Sequence, residues 1–154
     1  MAKHVAHVAW RSDGQFERGR YSRRHEWRFD GGAIVPGSSS PDVVRVPMSD
    51  PAAVDPEEAL IASASSCHML SFLWVTQRAG FVVESYVDDA EGEMAEVAPG
   101  RLGITRIVLR PDIVFAGRAP SADELDHLHH EAHLQCFIAN SLKSEIVVEA
   151  PRGA

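Results

Sequence analysis

The chain has little of what would direct it to nucleic acid, to a membrane surface or out of the cell. Its 154 residues carry 15 Lys and Arg against 22 Asp and Glu, so the net charge is −7 and the pI is about 5.5. This shortage of positive charge argues against nonspecific binding to nucleic acid or to anionic membranes. The opening residues, MAKHVAHVAW, lack the long apolar run of a secretory signal. We therefore expect a cytoplasmic protein with no nucleic-acid partner and no membrane partner.

Cysteine is also scarce, since the chain contains only Cys67 and Cys136. Two cysteines in a reducing cytoplasm are more often reactive, metal-bound or inert than permanently bridged. The sequence has neither a Gly-rich phosphate loop nor the serine motif of a nucleophile elbow. What remains is the composition of an ordinary globular protein, 45% hydrophobic and 24% charged.

The most distinctive shortage is of charge along one segment, because residues 59–77 contain no Asp, Glu, Lys or Arg. Asp55 and Glu58 form the pattern of a capping box before this segment, and Gly80 is a typical C-terminal stop, so we predict a helix over 55–80. A helix without a charged stripe is expected to be buried on most sides. A membrane span is the alternative, but polar residues interrupt the apolar run and favour a core helix. These polar residues are Ser63, Ser65, Ser66, His68, Ser71, Thr76 and Gln77.

The other segments predict an α+β fold. Five of them have the alternating or apolar pattern of strands: 4–10, 16–29, 81–97, 101–115 and 144–150. We expect a bend around Asp88 and Asp89 in the third of these, and an edge position or a bulge at Pro111 in the fourth. Ser121 and Glu124 form a second capping box, which opens a second helix over 121–143. Residues 33–54 are rich in proline and serine and predict a loop without regular structure. Because no repeat or boundary interrupts this order, we predict a single domain over 1–154.

The two cysteines lie on the two predicted helices. If these helices pack together, the thiols can face each other, and a disulfide would need their Cα atoms within about 7 Å. Cys67 is in the middle of its helix and gains little from the helix dipole, so a reactive thiolate there needs a nearby cation. The arginine-rich segment 18–28 is the obvious source. The alternatives are that these arginines only protect an edge strand and that Cys67 is an inert buried thiol.

The histidines indicate a second possible chemistry. His129 and His133 are four residues apart on one face of the second helix, and Cys136 follows three residues later. This spacing is usable for metal ligands, so a metal-binding or metal-sensing protein is an alternative function. No third acidic or cysteine ligand is implied, however, and exposed helix positions would explain these histidines equally well.

Two segments resemble one known family. DPEEALIASASSCHM is similar to the helix that bears the peroxidatic cysteine in the OsmC/Ohr family of thiol peroxidases, and AHLQCFIANS is similar to the segment with its resolving cysteine. The resemblance covers nearly the whole chain, and YSRRHEWRF and PGSSSP are closest to an OsmC-like subgroup. It implies an OsmC-like α+β fold, with antiparallel sheets around two helices, one of them buried and central. It also implies an intertwined homodimer with active sites at the subunit interface.

The resemblance assigns roles to four residues. Cys67 matches the peroxidatic cysteine, Cys136 the resolving cysteine and Glu57 the glutamate near the helix start, while Arg23 is the choice for the active-site arginine. The family's glycine-framed arginine pair is only partly kept, so Arg20 and Arg24 compete with Arg23. Many members also have proline directly after the resolving cysteine, where this chain has phenylalanine.

The implied reaction is the reduction of an organic hydroperoxide at Cys67, with an external dithiol as reductant and with neither a metal nor an organic cofactor. Met69, Leu70 and Trp74 would favour organic peroxides over hydrogen peroxide. Glu57 and Cys67 are 10 residues apart, or roughly 15 Å along one helix. Unless the chain bends before the helix, we expect Glu57 to serve the thiol of a second subunit. A non-catalytic ligand-binding module on the same fold is the remaining alternative.

Overall fold

The computed structural model describes residues 1–153 and divides the chain into two compact units, residues 1–59 and the part from residue 60 onward. Compact units are not necessarily independent folding domains. The single domain expected from the sequence therefore stays a prediction, and the two units are described separately.

The first unit contains a three-stranded antiparallel sheet of β1 (Ala6–Ala9), β2 (His25–Phe29) and β3 (Ile34–Gly37), in that order. The strand expected over 16–29 is shorter than predicted and is preceded by a 3₁₀ turn. The prediction that 33–54 lacks regular structure is wrong at its start, because β3 lies there. Pro36 is tolerated in β3 because this strand is at the edge of the sheet, where one side of the backbone needs no ladder partner.

Helix α1 (Pro56–Arg78) begins at the predicted capping box. The Glu58 N–H donates to Asp55 Oδ1 at 2.8 Å, and the Asp55 N–H donates to Glu58 Oε2 at 3.1 Å. By length and composition this helix is able to cross a membrane, a test that core helices of soluble proteins also pass. Burial in the single chain is confined to one face, whereas Leu70 and Trp74 are 62% and 54% exposed. The buried residues are Ala64, His68, Phe72 and Thr76.

The second unit has five strands: β4 (Val82–Asp88), β5 (Glu91–Ala98), β6 (Arg101–Leu109), β7 (Pro111–Ala116) and β8 (Glu145–Val148). Antiparallel pairing joins β4 to β7 and β5 to β6, while β8 runs parallel to β6. The segments 81–97 and 101–115 are therefore both divided between two sheets. The first division lies at the bend expected around Asp88 and Asp89, and the second lies next to Pro111, where an edge position or a bulge was expected. Asp88 is involved at both breaks, because it is the last residue of β4 and its carboxylate accepts a hydrogen bond from the N–H of Arg110, the residue between β6 and β7. The same carboxylate accepts a hydrogen bond from Ser65 Oγ of α1.

Helix α2 (Ala122–Gln135) opens with the predicted Ser121–Glu124 capping box. It is shorter than the helix expected over 121–143, because Cys136 has an extended backbone and forms the C-cap. A 3₁₀ turn over Ala139–Ser141 follows. Cys136 thus lies at the end of α2 and not within it.

Two apolar clusters form the core of the second unit. The first core cluster joins Phe72 of α1 to Leu128 and Ala132 of α2, with side chains of β4 and β7 around them. The second core cluster joins Ala64 of α1 to Ile107 and Leu109 of β6, and Ile138 and Leu142 pack against it from the segment after α2.

Candidate active site

Both cysteines are free thiols and lie next to each other. Cys136 is completely buried, whereas Cys67 is half-buried, and the two thiols are close enough for Cys67 to influence the ionisation of Cys136. Burial raises the pKa of Cys136 to about 11, and the hydrogen bond and charge of Cys67 act in the same direction. The Ala139 N–H donates to Cys136 Sγ at 3.3 Å and works against this shift. The closeness of the two thiols is compatible with the expectation that they can face each other, while their catalytic roles stay predictions.

The packing of the second unit explains why these thiols meet. Along α1, Cys67 lies between Ala64 of the second core cluster and Phe72 of the first. Cys136 lies between Ala132 of the first cluster and Ile138, which packs against the second. Helix α1 passes from the second core cluster to the first, whereas α2 and the residues after it pass from the first to the second. The two segments therefore change clusters at the same place, and both cysteines lie there.

Cys67 opens into an apolar groove of about 360 Å³. Leu70 and Trp74 line this groove, as the sequence led us to expect, but Met69 is not among its lining residues. Phe137, which is 80% exposed, forms the opposite wall together with Gln135. Phe137 takes this position because it directly follows Cys136, a placement that the sequence pattern did not reveal.

The three candidate arginines lie in the first unit in different environments. Arg23 is half-buried, its guanidinium lies 3.6 Å from the ring centre of Tyr21, and its Nη1 donates to the Tyr21 carbonyl at 2.5 Å. Arg24 forms an exposed ion pair with Asp50 at 2.6 Å, and Arg20 is exposed. Arg23 also borders an apolar groove of about 420 Å³ lined by aromatic side chains. Arg24 borders a different cavity of about 550 Å³, but its guanidinium is already paired with Asp50. The assignment of Arg23 as the active-site arginine stays a prediction.

Glu57 is in the first turn of α1 and is half-buried. Because the helix already begins at Pro56, no bend separates Glu57 from Cys67. Ten residues of continuous helix keep the two side chains roughly 15 Å apart along the axis. Glu57 has no side-chain hydrogen bond or ion pair within residues 1–153, and its catalytic role stays a prediction.

The histidines do not form the metal site considered from the sequence. Among the described residues, no group of three or more His, Cys, Asp or Glu side chains is placed to hold a metal ion. His127 and His130 are exposed, whereas His129 turns inward. His129 Nδ1 is 3.0 Å from Nε2 of His68, so α1 supplies its partner. The metal-binding alternative with His129, His133 and Cys136 is therefore wrong for this structure.

The pairing of His68 with His129 is a feature that the sequence analysis missed. The two rings are stacked, with centroids 5.3 Å apart, and Phe72 stacks on His129 at 4.5 Å. Burial lowers the pKa of both histidines to about 4, the charges of His129 and His133 add to this at His68, and Asp88 opposes it. One signal was present: His68 is four residues from both Ala64 and Phe72, so it shares their face of α1.

A family model described as OsmC-like protein matches residues 49–150, which include both cysteines. The chain belongs to the OsmC-like family. A search of curated protein sequences finds no match.

Solved structures agree with this assignment. An OsmC-like protein of unknown function from Vibrio cholerae is 46% identical, with a TM-score of 0.93 over 97% of this chain and 99% of that one. An organic hydroperoxide resistance protein from Elizabethkingia anophelis is 15% identical, with a TM-score of 0.72 over 97% of each chain. The organic hydroperoxide resistance protein OhrB of Bacillus subtilis is 13% identical, with a TM-score of 0.67 over 96% of each chain. The last two likenesses establish the fold, and the predicted OsmC-like α+β fold is confirmed.

The buried histidine pair predicts acid sensitivity of the fold. In the folded protein the pKa of His68 and of His129 is about 4, against an ordinary 6.5, so the unfolded chain binds more protons between these values. The stabilisation is complete above pH 6.5 and is lost as the pH falls toward 4, by about 3 kcal/mol for one histidine. Urea unfolding of wild type and of His68→Leu/His129→Leu at several pH values measures it.

The comparison has a matched control in His130→Leu, which changes an exposed histidine next to the pair. We expect this control to keep the wild-type pH dependence, whereas the double variant loses part of it. Equal pH dependence in wild type and the double variant would contradict the prediction.

Proposed function

We propose that this protein is a cysteine-based peroxidase that reduces organic hydroperoxides, with an external dithiol as reductant, in stress defence. The observation that carries the proposal is the closeness of a half-buried thiol in an apolar groove, Cys67, to a fully buried second thiol, Cys136. Membership of the OsmC-like family supports the same reaction class. A cytoplasmic location is part of the proposal, since both thiols have to start reduced.

The reaction has three balanced steps. The Cys67 thiolate attacks the O–O bond, the alcohol leaves with one oxygen, and Cys67 keeps the other as a sulfenic acid. Cys136 attacks the sulfenic sulfur, the S–O bond breaks, and the departing hydroxide takes up the Cys136 proton, so water and a disulfide are formed. An external dithiol then reduces the disulfide by thiol–disulfide exchange.

The environments of the two thiols favour this division of roles. Cys67 is accessible from the groove, so a peroxide can reach it. Cys136 is shielded from solvent, and the pKa of its thiol is raised to about 11, so at neutral pH it is protonated and a poor nucleophile toward peroxide in solution. It reacts only when an electrophilic sulfur forms beside it.

The groove favours substrates with an apolar group. Leu70, Trp74 and Phe137 present apolar surface beside Cys67 and are all more than half exposed in the single chain. An alkyl or aryl group on the peroxide would cover this surface, and each buried methylene contributes about 0.8 kcal/mol. Hydrogen peroxide has no such group to offer.

We also propose that the protein is a two-fold homodimer whose sites combine Cys67 and Cys136 of one chain with Glu57 and Arg23 of the other. Two observations support this. Glu57 cannot reach Cys67 of its own chain along a straight helix, and the uncharged helix α1 leaves Leu70 and Trp74 exposed. Glu57 would orient the arginine by a bidentate ion pair, and the arginine would stabilise the thiolate and the peroxide.

The first test of the function is the cysteine pair. Cys67→Ser is expected to abolish consumption of an alkyl hydroperoxide in the presence of a dithiol, because the nucleophile is removed. Cys136→Ser is expected to consume one equivalent and then stall at the sulfenic acid. Non-reducing peptide mapping of the wild type after one equivalent of peroxide should show a Cys67–Cys136 link within one chain.

Wild-type turnover by Cys67→Ser would overturn the proposal. Hydrogen peroxide, assayed in parallel, provides the substrate control, since the apolar groove predicts faster turnover of the alkyl hydroperoxide.

The arginine assignment predicts unequal effects of three substitutions. Arg23→Gln is expected to slow both peroxide reduction and alkylation of Cys67 by iodoacetamide by roughly tenfold or more, because a cation that stabilises the thiolate is lost. Arg20→Gln and Arg24→Gln are the matched controls on either side and should stay near the wild-type rate. Equal rates in all three variants would contradict the choice of Arg23.

The shared site predicts complementation between two inactive chains. Co-expressed, differently tagged Cys67→Ser and Glu57→Ala chains form a mixed dimer with one intact site, so we expect about half of the wild-type activity from it. The control is a wild-type chain paired with a chain that carries both substitutions. If sites are shared, this control is inactive, and if each chain is self-sufficient it retains half.

A fully active monomer at micromolar concentration, measured by light scattering, would defeat the dimer proposal. It would leave the cysteine chemistry untouched.

A further inference from the structure

The strongest unexplained feature of the second unit is a polar contact in the middle of its core. His68 of α1 is 1% exposed and His129 of α2 is 8% exposed, and their ring nitrogens are 3.0 Å apart. Apolar side chains would fill this space without the cost of burying imidazole nitrogens. Apolar contacts are non-directional, whereas a hydrogen bond requires its two ring nitrogens to face each other. The pair therefore restricts how one helix is positioned along the other.

The tautomers of the pair follow from its partners. Burial keeps both rings neutral, so each has one N–H, and one ring has to donate to the other. His68 Nδ1 is buried and has no partner within the described residues. A proton there would be a buried unsatisfied donor, so we assign the His68 proton to Nε2, which donates to Nδ1 of His129. The bond therefore has a defined direction from α1 to α2.

The pair is close in the chain to both thiols. His68 directly follows Cys67 in α1, and His129 lies seven residues before Cys136, which caps the C-terminal end of α2. A slip of one helix past the other by one turn would be about 5.4 Å. A disulfide tolerates Cα separations of roughly 4.4–6.8 Å only, so such a slip would part the thiols.

We propose that His68 and His129 are positioning residues that hold Cys67 against Cys136, so that disulfide formation depends on their hydrogen bond whereas attack of Cys67 on peroxide does not. The inference rests on the proposed peroxidase function for its kinetic part only. The geometric part is that the His68–His129 hydrogen bond sets how readily Cys67 and Cys136 form a disulfide. This part holds for any oxidant.

The central variant is His68→Leu/His129→Leu. Replacing both partners by apolar residues of similar size avoids an unpaired buried group and is compatible with folding, whereas a single replacement leaves one group unsatisfied. His129→Asn and His68→Gln are the rescue variants, because the Asn oxygen can occupy the place of Nδ1 and the Gln nitrogen the place of Nε2. His130→Leu, on the exposed side of α2, is the matched control.

Two measurements separate the steps. One equivalent of alkyl hydroperoxide is added to reduced protein, and mass spectrometry follows the dimedone adduct of Cys67 and the Cys67–Cys136 disulfide. We expect the double Leu variant to form the sulfenic acid at the wild-type rate and the disulfide at least tenfold more slowly. The rescue variants should recover at least half of the lost rate, and His130→Leu should match wild type.

The second measurement needs no peroxide. Equilibration of each protein in dithiothreitol redox buffers gives the reduction potential of the Cys67–Cys136 pair. A tenfold loss in the tendency to form the disulfide raises this potential by about 30 mV. We expect that rise in the double Leu variant and none in His130→Leu. Helix content and the urea midpoint at pH 7 show whether each variant is folded.

The outcomes distinguish this inference from the proposed function. If wild type consumes no hydroperoxide but the potential shifts as expected, the peroxidase proposal fails and the positioning role stands. If the folded double Leu variant forms the disulfide at the wild-type rate and potential, the positioning role is overturned and the peroxidase proposal is untouched. If the double Leu variant does not fold, the single variants His129→Phe and His68→Phe replace it. Wild-type disulfide rates and reduction potentials in these folded single variants would also overturn the positioning role.

Discussion

The packing of one face of α1 between two apolar clusters determines the rest of the second unit. Ala64 packs toward β6 and Phe72 toward α2, so the helix cannot rotate without exposing one of them. Helix α2 and the segment after it pass the same two clusters in the opposite order. This segment and α1 therefore cross at one place. That crossing brings Cys67 near Cys136, and the proposed role of the His68–His129 hydrogen bond is to hold the two thiols together there.

The same packing explains why α1 can be uncharged and still leave an apolar surface open. Its buried face needs small and apolar residues, and its opposite face carries Leu70 and Trp74, which line the groove over Cys67. Exposed apolar surface of this kind is unfavourable unless something covers it. A substrate and a second subunit both suit this role, and both would be excluded from it if the helix carried the usual charged stripe.

The sequence allowed prediction of those features that depend on neighbouring residues. Both capping boxes are local hydrogen-bond patterns, and both were found where expected, as were two helices with one cysteine associated with each. The sequence indicated a bend around Asp88 and Asp89 and an irregularity at Pro111, but not that each segment divides between two sheets. That division involves pairing with distant residues, as the Asp88 carboxylate shows by accepting hydrogen bonds from residues more than 20 positions away. The end of α2 is a similar case. The helical spacing of apolar residues continues through Cys136, but the helix ends at Gln135, and Ile138 packs against the second core cluster.

At the candidate site, residue type alone identified the two cysteines as candidates. The difference between their environments is visible only in the fold. Both are cysteines near the middle of apolar segments, yet Cys136 is sealed in the core while Cys67 faces a groove. Burial raises the pKa of Cys136 to about 11, so in the proposed reaction Cys136 keeps its proton until a sulfenic acid forms beside it. As the S–S bond then forms and the S–O bond breaks, the departing hydroxide takes up that proton. Burial therefore sets the order of the two thiols in the proposed reaction. A second thiol as exposed as the first would compete with it for peroxide, so the core position of Cys136 is itself part of the chemistry.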